Sequence, residues 1–322
     1  MPRTKRSGEF ELIARYFAPL AKGFAGARGL KSDNAFLPGD SRHDIVVKTD
    51  TIVSGVHFLA DEKSGLVAQR ALRVCLSDLA AGGATPFGYQ VGLSLQPDWT
   101  ERWIRGFARG LAADQRRYRV SLTGGDTTRT PGPTTITVTA FGKVPRGRGI
   151  GRDGARVGDE LWVSGTIGDA ALGLLAIQKK IEGAALERRY RLPLPRVLLG
   201  PRLLGVAHAA ADVSDGLLAD AGHIADASKL AVTIERDLVP LSATAKKVLT
   251  GSSALWPRAL AGGDDYELLM AIPKHRRPLL LAAARSAGIK VTRIGAFAKG
   301  RGVQLTVTGQ PAKVSLRGYT HF

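Results

Sequence analysis

"PRGRGIGRDGARVGDELWVSG", residues 145–165, decides how this chain is divided. Residues 145–159 carry glycine and arginine with no apolar period, and "ELWVSG" (160–165) then reads as a strand. Inside the stretch, "GIGRDG" (149–154) has the spacing G-x-G-x-x-G. That spacing cradles a dinucleotide only where a strand precedes it and a helix follows. A strand follows here, so a Rossmann reading fails and a linker reading stands. The chain is therefore expected to form two domains, 1–147 and 148–322.

Working outward, the first half alternates its periods. Residues 9–22, 64–81 and 100–117 read as helices, and 44–50, 87–95, 118–124 and 134–144 as strands. The second half restarts at 160–165. Strands are expected at 210–214, 231–235, 266–272, 290–297 and 302–309, and helices at 169–180, 195–209, 216–228 and 275–287. Mixed order in both halves implies α/β or α+β domains.

Composition narrows the function. Hydrophobic residues are 44 % and charged residues 23 %, enough for a packed globular core. No apolar run approaches the roughly 18 residues that a membrane span needs. The start, "MPRTKRSGEFELIARYF", has neither an uninterrupted apolar core nor a small-residue cleavage site, which argues against a secretory signal. Cys75 is the one cysteine, so an intrachain disulfide is impossible and a reducing, cytoplasmic setting is expected. No Cys/His cluster has zinc spacing. The net charge of +18 raises the question of nucleic acid. Its basic residues are scattered, as in 116–119, 187–191 and 274–277, with no interleaved aromatics. That argues against nucleic acid and leaves a surface that concentrates anionic phosphates.

Against this basic background, aspartates recur at strand ends and helix starts beside Gly, Ser or Thr. They are Asp50 in "KTDT", Asp78 in "LSDLAAGGA", Asp126 in "TGGDTT", Asp212 and Asp215 in "DVSDGL", and Asp264 and Asp265 in "AGGDDYE". Asp33 in "LKSDNAF" is a sixth such place. Singly, each reads as a helix cap or a turn residue. As a set, they suit Mg²⁺ bound to a polyphosphate. That ion takes one or two carboxylates, several waters and phosphate oxygens, and neighbouring glycines let backbone N–H groups approach the phosphate. Walker and protein-kinase signatures are absent, as is any Ser/His/Asp arrangement.

The ordered segments "GEFELIARYF", "TDTIVSGVHF", "LSDLAAGGATP", "TGGDTTR", "GRDGARVGDELWVSG", "DVSDGLLAD", "GGDDYELL" and "GYTHF" span nearly the whole chain. Together they resemble the thiamine-monophosphate kinases, in the superfamily that includes aminoimidazole ribonucleotide synthetase and selenophosphate synthetase. The resemblance implies a two-domain aminoimidazole ribonucleotide synthetase-like fold. Its N-terminal domain would pair with a second copy into a β-barrel across a homodimer. The implied reaction is ATP plus thiamine monophosphate giving ADP and thiamine diphosphate, by direct in-line transfer without a general base.

Carried over by position, the resemblance implies Asp33, Thr49, Asp50, Asp78, Asp126, Asp212 and Asp215 as Mg²⁺ ligands. Gly125, Asp126, Arg152 and Ser214 would contact ATP. His57, Asp264 and Tyr319 would hold the substrate, and Asp126, Asp212 and Arg152 would stabilise charge. Three departures are present, of which those at Lys31, Ser32 and Lys48 bear on the metal count. The usual "GIGDD" reads "GLKSD" here, with Lys31 and Ser32; Lys48 stands where a serine is usual; and Asp264 replaces a glutamate. Among sister enzymes, a selenophosphate synthetase would carry a reactive residue near its N-terminus, which is missing. An aminoimidazole ribonucleotide synthetase would not be expected to end in "GYTHF".

Overall fold

Alternating apolar side chains build the first sheet. A computed structural model describes residues 9–24 and 41–312. The chain opens with a short helix α1 (Glu9–Leu12), followed by a π turn (Ile13–Phe17) and a 3-10 turn (Ala18–Ala21). A single helix over 9–22 was expected. Pro19 lies in the last of these turns, where it cannot donate the backbone bond of a continuing helix. Strands β1 (His43–Val53), β2 (Thr85–Leu95), β3 (Ser121–Arg129) and β4 (Thr135–Pro145) form a 4-stranded sheet in the order β1-β4-β2-β3.

One face of this sheet is dry. Tyr89, Val91 and Leu93 of β2 and Ile136, Val138 and Ala140 of β4 are buried on it. Helix α2 (Ser64–Ala81) lies on that face, since Cys75 donates to the carbonyl of Val138. Helix α3 (Glu101–Tyr118) is capped by Thr100, whose hydroxyl accepts from the Trp103 N–H. The two helices are joined by a buried pair in which Arg73 meets both carboxylate oxygens of Asp114, at 2.7 Å each. The opposite face is different. There β1 presents Ile45 and Val47, which are 37 % and 57 % exposed, on a strand that is at the sheet edge among the described residues.

Two units divide the chain. One runs to Leu79 and resumes over Thr85–Arg146; the other takes Ala80–Ala84 and everything from Gly147. In chain order, the second unit contains β5 (Glu160–Ser164), α4 (Asp169–Ile177), α5 (Ala184–Arg191), β6 (Ala209–Asp212) and α6 (Leu217–Ala227). It continues with β7 (Ala231–Glu235), α7 (Ala243–Gly251), α8 (Trp256–Ala261), β8 (Leu268–Ile272), α9 (Arg277–Ala287), β9 (Val291–Ala298), β10 (Gly302–Val307) and β11 (Gln310–Ala312). The 7-stranded sheet has the order β11-β10-β7-β9-β5-β8-β6.

Strands β5 and β8 are buried along their whole length, and β8, covered on both faces, reads as an unbroken apolar run. Leu269 and Ala271 of β8 share one core with Leu217, Ala221 and Ile224 of α6. Leu268, Met270 and Ile272 share the other with Leu280 and Ala284 of α9. The expected helix at 195–209 is instead a set of turns around a 3-10 segment, Gly200–Leu203. Gly200, Pro201 and Gly205 interrupt the apolar period that suggested a helix. Helices α5, α7 and α8 were not expected. The first is rich in charge, and the other two are short and lie between turns.

Candidate metal and phosphate sites

In the first unit, strand alternation puts Lys48 and Asp50 on the same, helix-covered face of β1. Asp78 comes to them from α2. The Lys48 Nζ lies 3.0 Å from Asp50 Oδ1 and 3.2 Å from Asp78 Oδ2. The Cys75 thiol donates to Asp50 Oδ2 at 3.3 Å. Burial disfavours the Lys48 ammonium, but Asp78 and Asp50 outweigh it and raise its pKa above that of an ordinary lysine. Burial, then the charge of Asp50, pushes the Cys75 thiol well up, so it remains a neutral donor.

Thr49 points to the opposite face, with its hydroxyl 2.9 Å from that of Thr139. His57 sits in the turn after β1, where its Nδ1 accepts from the Val53 N–H at 3.1 Å. That bond places the proton of the neutral ring on Nε2.

Asp126 is not beside Asp50. It lies on β3, at the other edge of the sheet, level with Gly92, Thr137 and Thr51. Three interstrand steps separate the edges, about 14 Å at the usual spacing. Mg²⁺ holds its oxygens at about 2.1 Å, so one ion cannot join Asp50 and Asp126 of the same chain. Asp126 is exposed, and its Oδ1 accepts from the Thr127 N–H at 2.9 Å. Gly125 lets β3 close against β2 at this point, because a Cβ there would stand 2.1 Å from the Val91 carbonyl oxygen.

In the second unit, Asp212 ends β6 and is 2 % exposed. The chain then turns through Ser214 and Asp215 into α6. Asp220, in the first turn of α6, reaches back so that its Oδ2 accepts from the Asp215 and Gly216 N–H groups, at 3.0 and 3.1 Å. Burial, then the charge of Asp215, raises Asp220 to about 7, and the positive charge of Arg152 opposes this. His223, one turn on, has Nε2 3.8 Å from Asp215 Oδ2.

The fit to Mg²⁺ differs between the units. Asp215, Asp220 and His223 offer ligand atoms within 4.8 Å of one another. Among the described residues, the buried Asp220 Oδ1 has no hydrogen-bond partner. A hard cation suits that carboxylate pair. Between Asp50 and Asp78 the place of a cation is taken by an ammonium. Asp33 and Tyr319, with Lys31 and Ser32, lie outside the described residues.

A third feature of the second unit is the loop before β8. Its Asp264 N–H donates to the Ser214 carbonyl and its Tyr266 N–H to the Val213 carbonyl, each at 2.8 Å. This brings Asp264 beside the Ser214–Asp215 turn. Asp264 and Tyr266 both adopt left-handed backbone angles, φ 66° and 51°, which are uncommon for residues with a side chain. Asp265 anchors the loop, since its carboxylate accepts from Gly168 N–H at 2.7 Å and Ala170 N–H at 3.1 Å.

Burial raises Asp265 to about 8 against the pull of those donors and of Arg189. An unfolded aspartate titrates near ~3.9. The folded chain thus holds an extra proton between these values, and this group's stabilisation is lost as pH rises from about 4 through about 8. Asp265→Asn is expected to flatten that part of the slope in urea unfolding midpoints. A slope identical to the native chain's would contradict it.

Asp220, His223 and Glu267 were not singled out as site residues, whereas Asp265 was read with Asp264 in the aspartate set and instead anchors the loop. Asp220 had a legible signal, an acid in the first turn after a Gly-preceded loop. For Glu267 the signal was a charge inside the apolar run "YELLMAI".

Comparison with known proteins identifies the family of the two units. Residues 31–144 match the family AIR synthase related protein, N-terminal domain, and residues 156–308 match its C-terminal domain. The two mixed α/β units are thus those of an AIR synthase related protein. A thiamine-monophosphate kinase of Caulobacter vibrioides is 44% identical over 320 residues, covering 97% of this chain and 90% of that protein. The chain belongs to the thiamine-monophosphate kinase family. The crystal structure of the Stenotrophomonas maltophilia thiamine-monophosphate kinase superposes with TM-score 0.82 at 41% identity, covering 92% of this chain and 98% of that one. AaThiL, solved in complex with AMPPCP and TMP, superposes with TM-score 0.78 at 31% identity, covering 99% and 100%.

Proposed function

We propose that this chain phosphorylates thiamine monophosphate with ATP, giving ADP and thiamine diphosphate, the last step in making that coenzyme. Identity to thiamine-monophosphate kinases along both units carries this reading. The binding of AMPPCP and TMP by AaThiL supports it.

Donor and acceptor are both anions, so their repulsion is the main obstacle. Bound Mg²⁺ would supply charge neutralisation of the phosphates. Asp78, Asp126, Asp212 and Asp215, joined by Asp220, would hold it, with Asp33, Thr49 and Asp50. Arg152 is exposed and its charge reaches Asp220, so it can meet a phosphate bound there. Gly125 and Ser214 would bring backbone and hydroxyl groups to the nucleotide. His57, through Nε2, and Asp264, on its constrained loop, would orient thiamine monophosphate with Tyr319. The attacking oxygen belongs to a phosphate already ionised at neutral pH. No side chain need remove a proton, and transfer would be direct, without a phosphoenzyme.

The first unit would act as a pair of copies. Asp50 and Asp126 lie on opposite edges of one sheet, and among the described residues β1, carrying Ile45 and Val47, has a free edge. Placing β3 of one copy against β1 of another covers those side chains and closes the two sheets into a barrel. It also brings Asp126 of one copy to Thr49 and Asp50 of the other. A homodimer with sites shared between copies accounts for both features. The working place would be the cytoplasm. Among the described residues no helix is long and apolar enough to cross a membrane.

The test is ADP release from Mg²⁺ and ATP with thiamine monophosphate, thiamine or buffer alone, with thiamine diphosphate measured as product. Release that needs thiamine monophosphate and matches product one for one is expected. Equal release with all three would refute the assignment.

A further inference from the structure

We propose that Lys48 is a tethered cation that takes the place of one divalent ion between Asp50 and Asp78. The inference rests on the reading of these aspartates as part of a metal and phosphate site. The ammonium lies within hydrogen-bond distance of both carboxylates, at 3.0 and 3.2 Å. It comes from β1, which also carries Asp50, so the three groups are fixed by one strand and one helix. Lys48 pairs across the sheet with Ala140, a fully buried small residue that leaves room for the lysine stem.

The charges make the case. Two carboxylates facing each other need a counter-charge; the Cys75 S–H donates a hydrogen bond to Asp50, and the Lys48 ammonium, in reach of both, supplies the charge. A divalent ion entering between them would have to expel a covalently attached cation that already satisfies both. Oxygens around Mg²⁺ stand at about 2.1 Å from the ion, whereas these oxygens are spread around a nitrogen at 3.0 and 3.2 Å. Because the cation is part of the chain, this position stays neutralised when free Mg²⁺ is scarce. Elsewhere in the site, the aspartates remain available for ions that arrive with the nucleotide.

The experiment counts Mn²⁺ bound per chain, by equilibrium dialysis and electron paramagnetic resonance, in the full-length protein. It uses saturating AMPPCP with thiamine monophosphate, so that no turnover occurs. Lys48→Ala and Lys48→Ser are expected to bind one more Mn²⁺ per chain than the native protein. An unchanged count in a variant with a native-like melting curve would overturn the proposal. Should both variants fail to fold, the native chain still decides. With ¹⁵N-labelled lysine, the Lys48 ammonium signal should keep its position when Mg²⁺ and AMPPCP are added. Its loss would mean that the metal displaces it. ADP release, measured in parallel, separates the two readings. An unchanged count with normal turnover removes only the role of Lys48; absent turnover in the native chain removes the functional assignment while the count stands.

Discussion

Asp50→Asn and Asp126→Asn, each inactive alone, should recover about half of native dimer turnover when one copy of each is paired in a purified heterodimer. Each substitution alone removes a charge expected to act on the transition state, which costs about 10²–10³-fold in kcat for a preorganised electrostatic group. The recovery follows from the geometry. Asp50 lies on β1 and Asp126 on β3, at opposite edges of the sheet. If a site takes Asp50 from one copy and Asp126 from the other, the heterodimer has one site with both lesions and one with neither. If each site were built within one chain, both sites would carry a lesion and the heterodimer would be as inactive as its parents. Co-expression with two different affinity tags isolates the heterodimer, and its rate per dimer decides between the arrangements.

The placement of Asp50 and Asp126 on opposite edges of the sheet was not legible in the sequence, and the reason is physical. Gly, Ser and Thr beside Asp50, Asp78, Asp126, Asp212 and Asp215 were visible as local chemistry, because close approach to a phosphate requires small neighbours. The strand order β1-β4-β2-β3 depends on long-range pairing, which the local pattern does not specify. Lys48 and Asp50 are two apart in a strand, so their shared face could be read directly. The arrival of Asp78 could not, since it depends on how α2 lies on the sheet. The misread helix at 195–209 has the same origin. "VLLGPRLLGVA" has a helical apolar period, and backbone breaks at Gly200, Pro201 and Gly205 outweigh it. The strands best anticipated were β7, expected and found at 231–235 with an alternating burial pattern, and β5, expected at 160–165 and found at Glu160–Ser164.

The other large effect is expected at a residue that touches no proposed ligand. Glu267 is fully buried at the start of β8. It accepts from the Ser164 hydroxyl at 2.6 Å and from Arg189 Nη2 at 3.0 Å, and it meets Arg196 through both oxygens. Removing one partner of a buried charge network leaves the others desolvated and uncompensated, at a cost of about 3–5 kcal/mol. Glu267→Gln, which keeps the volume and loses the charge, should lower the urea unfolding free energy by about that amount with an unchanged slope. Arg196→Ala should cost less, because Arg189 and Ser164 still hold the carboxylate. The loop should also respond. The Glu267 carbonyl accepts from Val213 N–H, and the left-handed Asp264 and Tyr266 lie just before it. Strained backbone persists only where its surroundings hold it. In Glu267→Gln the KM for thiamine monophosphate should therefore rise by more than kcat falls. A variant as stable as the native chain would mean that the network contributes no net stability. A loss in kcat alone would mean that it does not position Asp264.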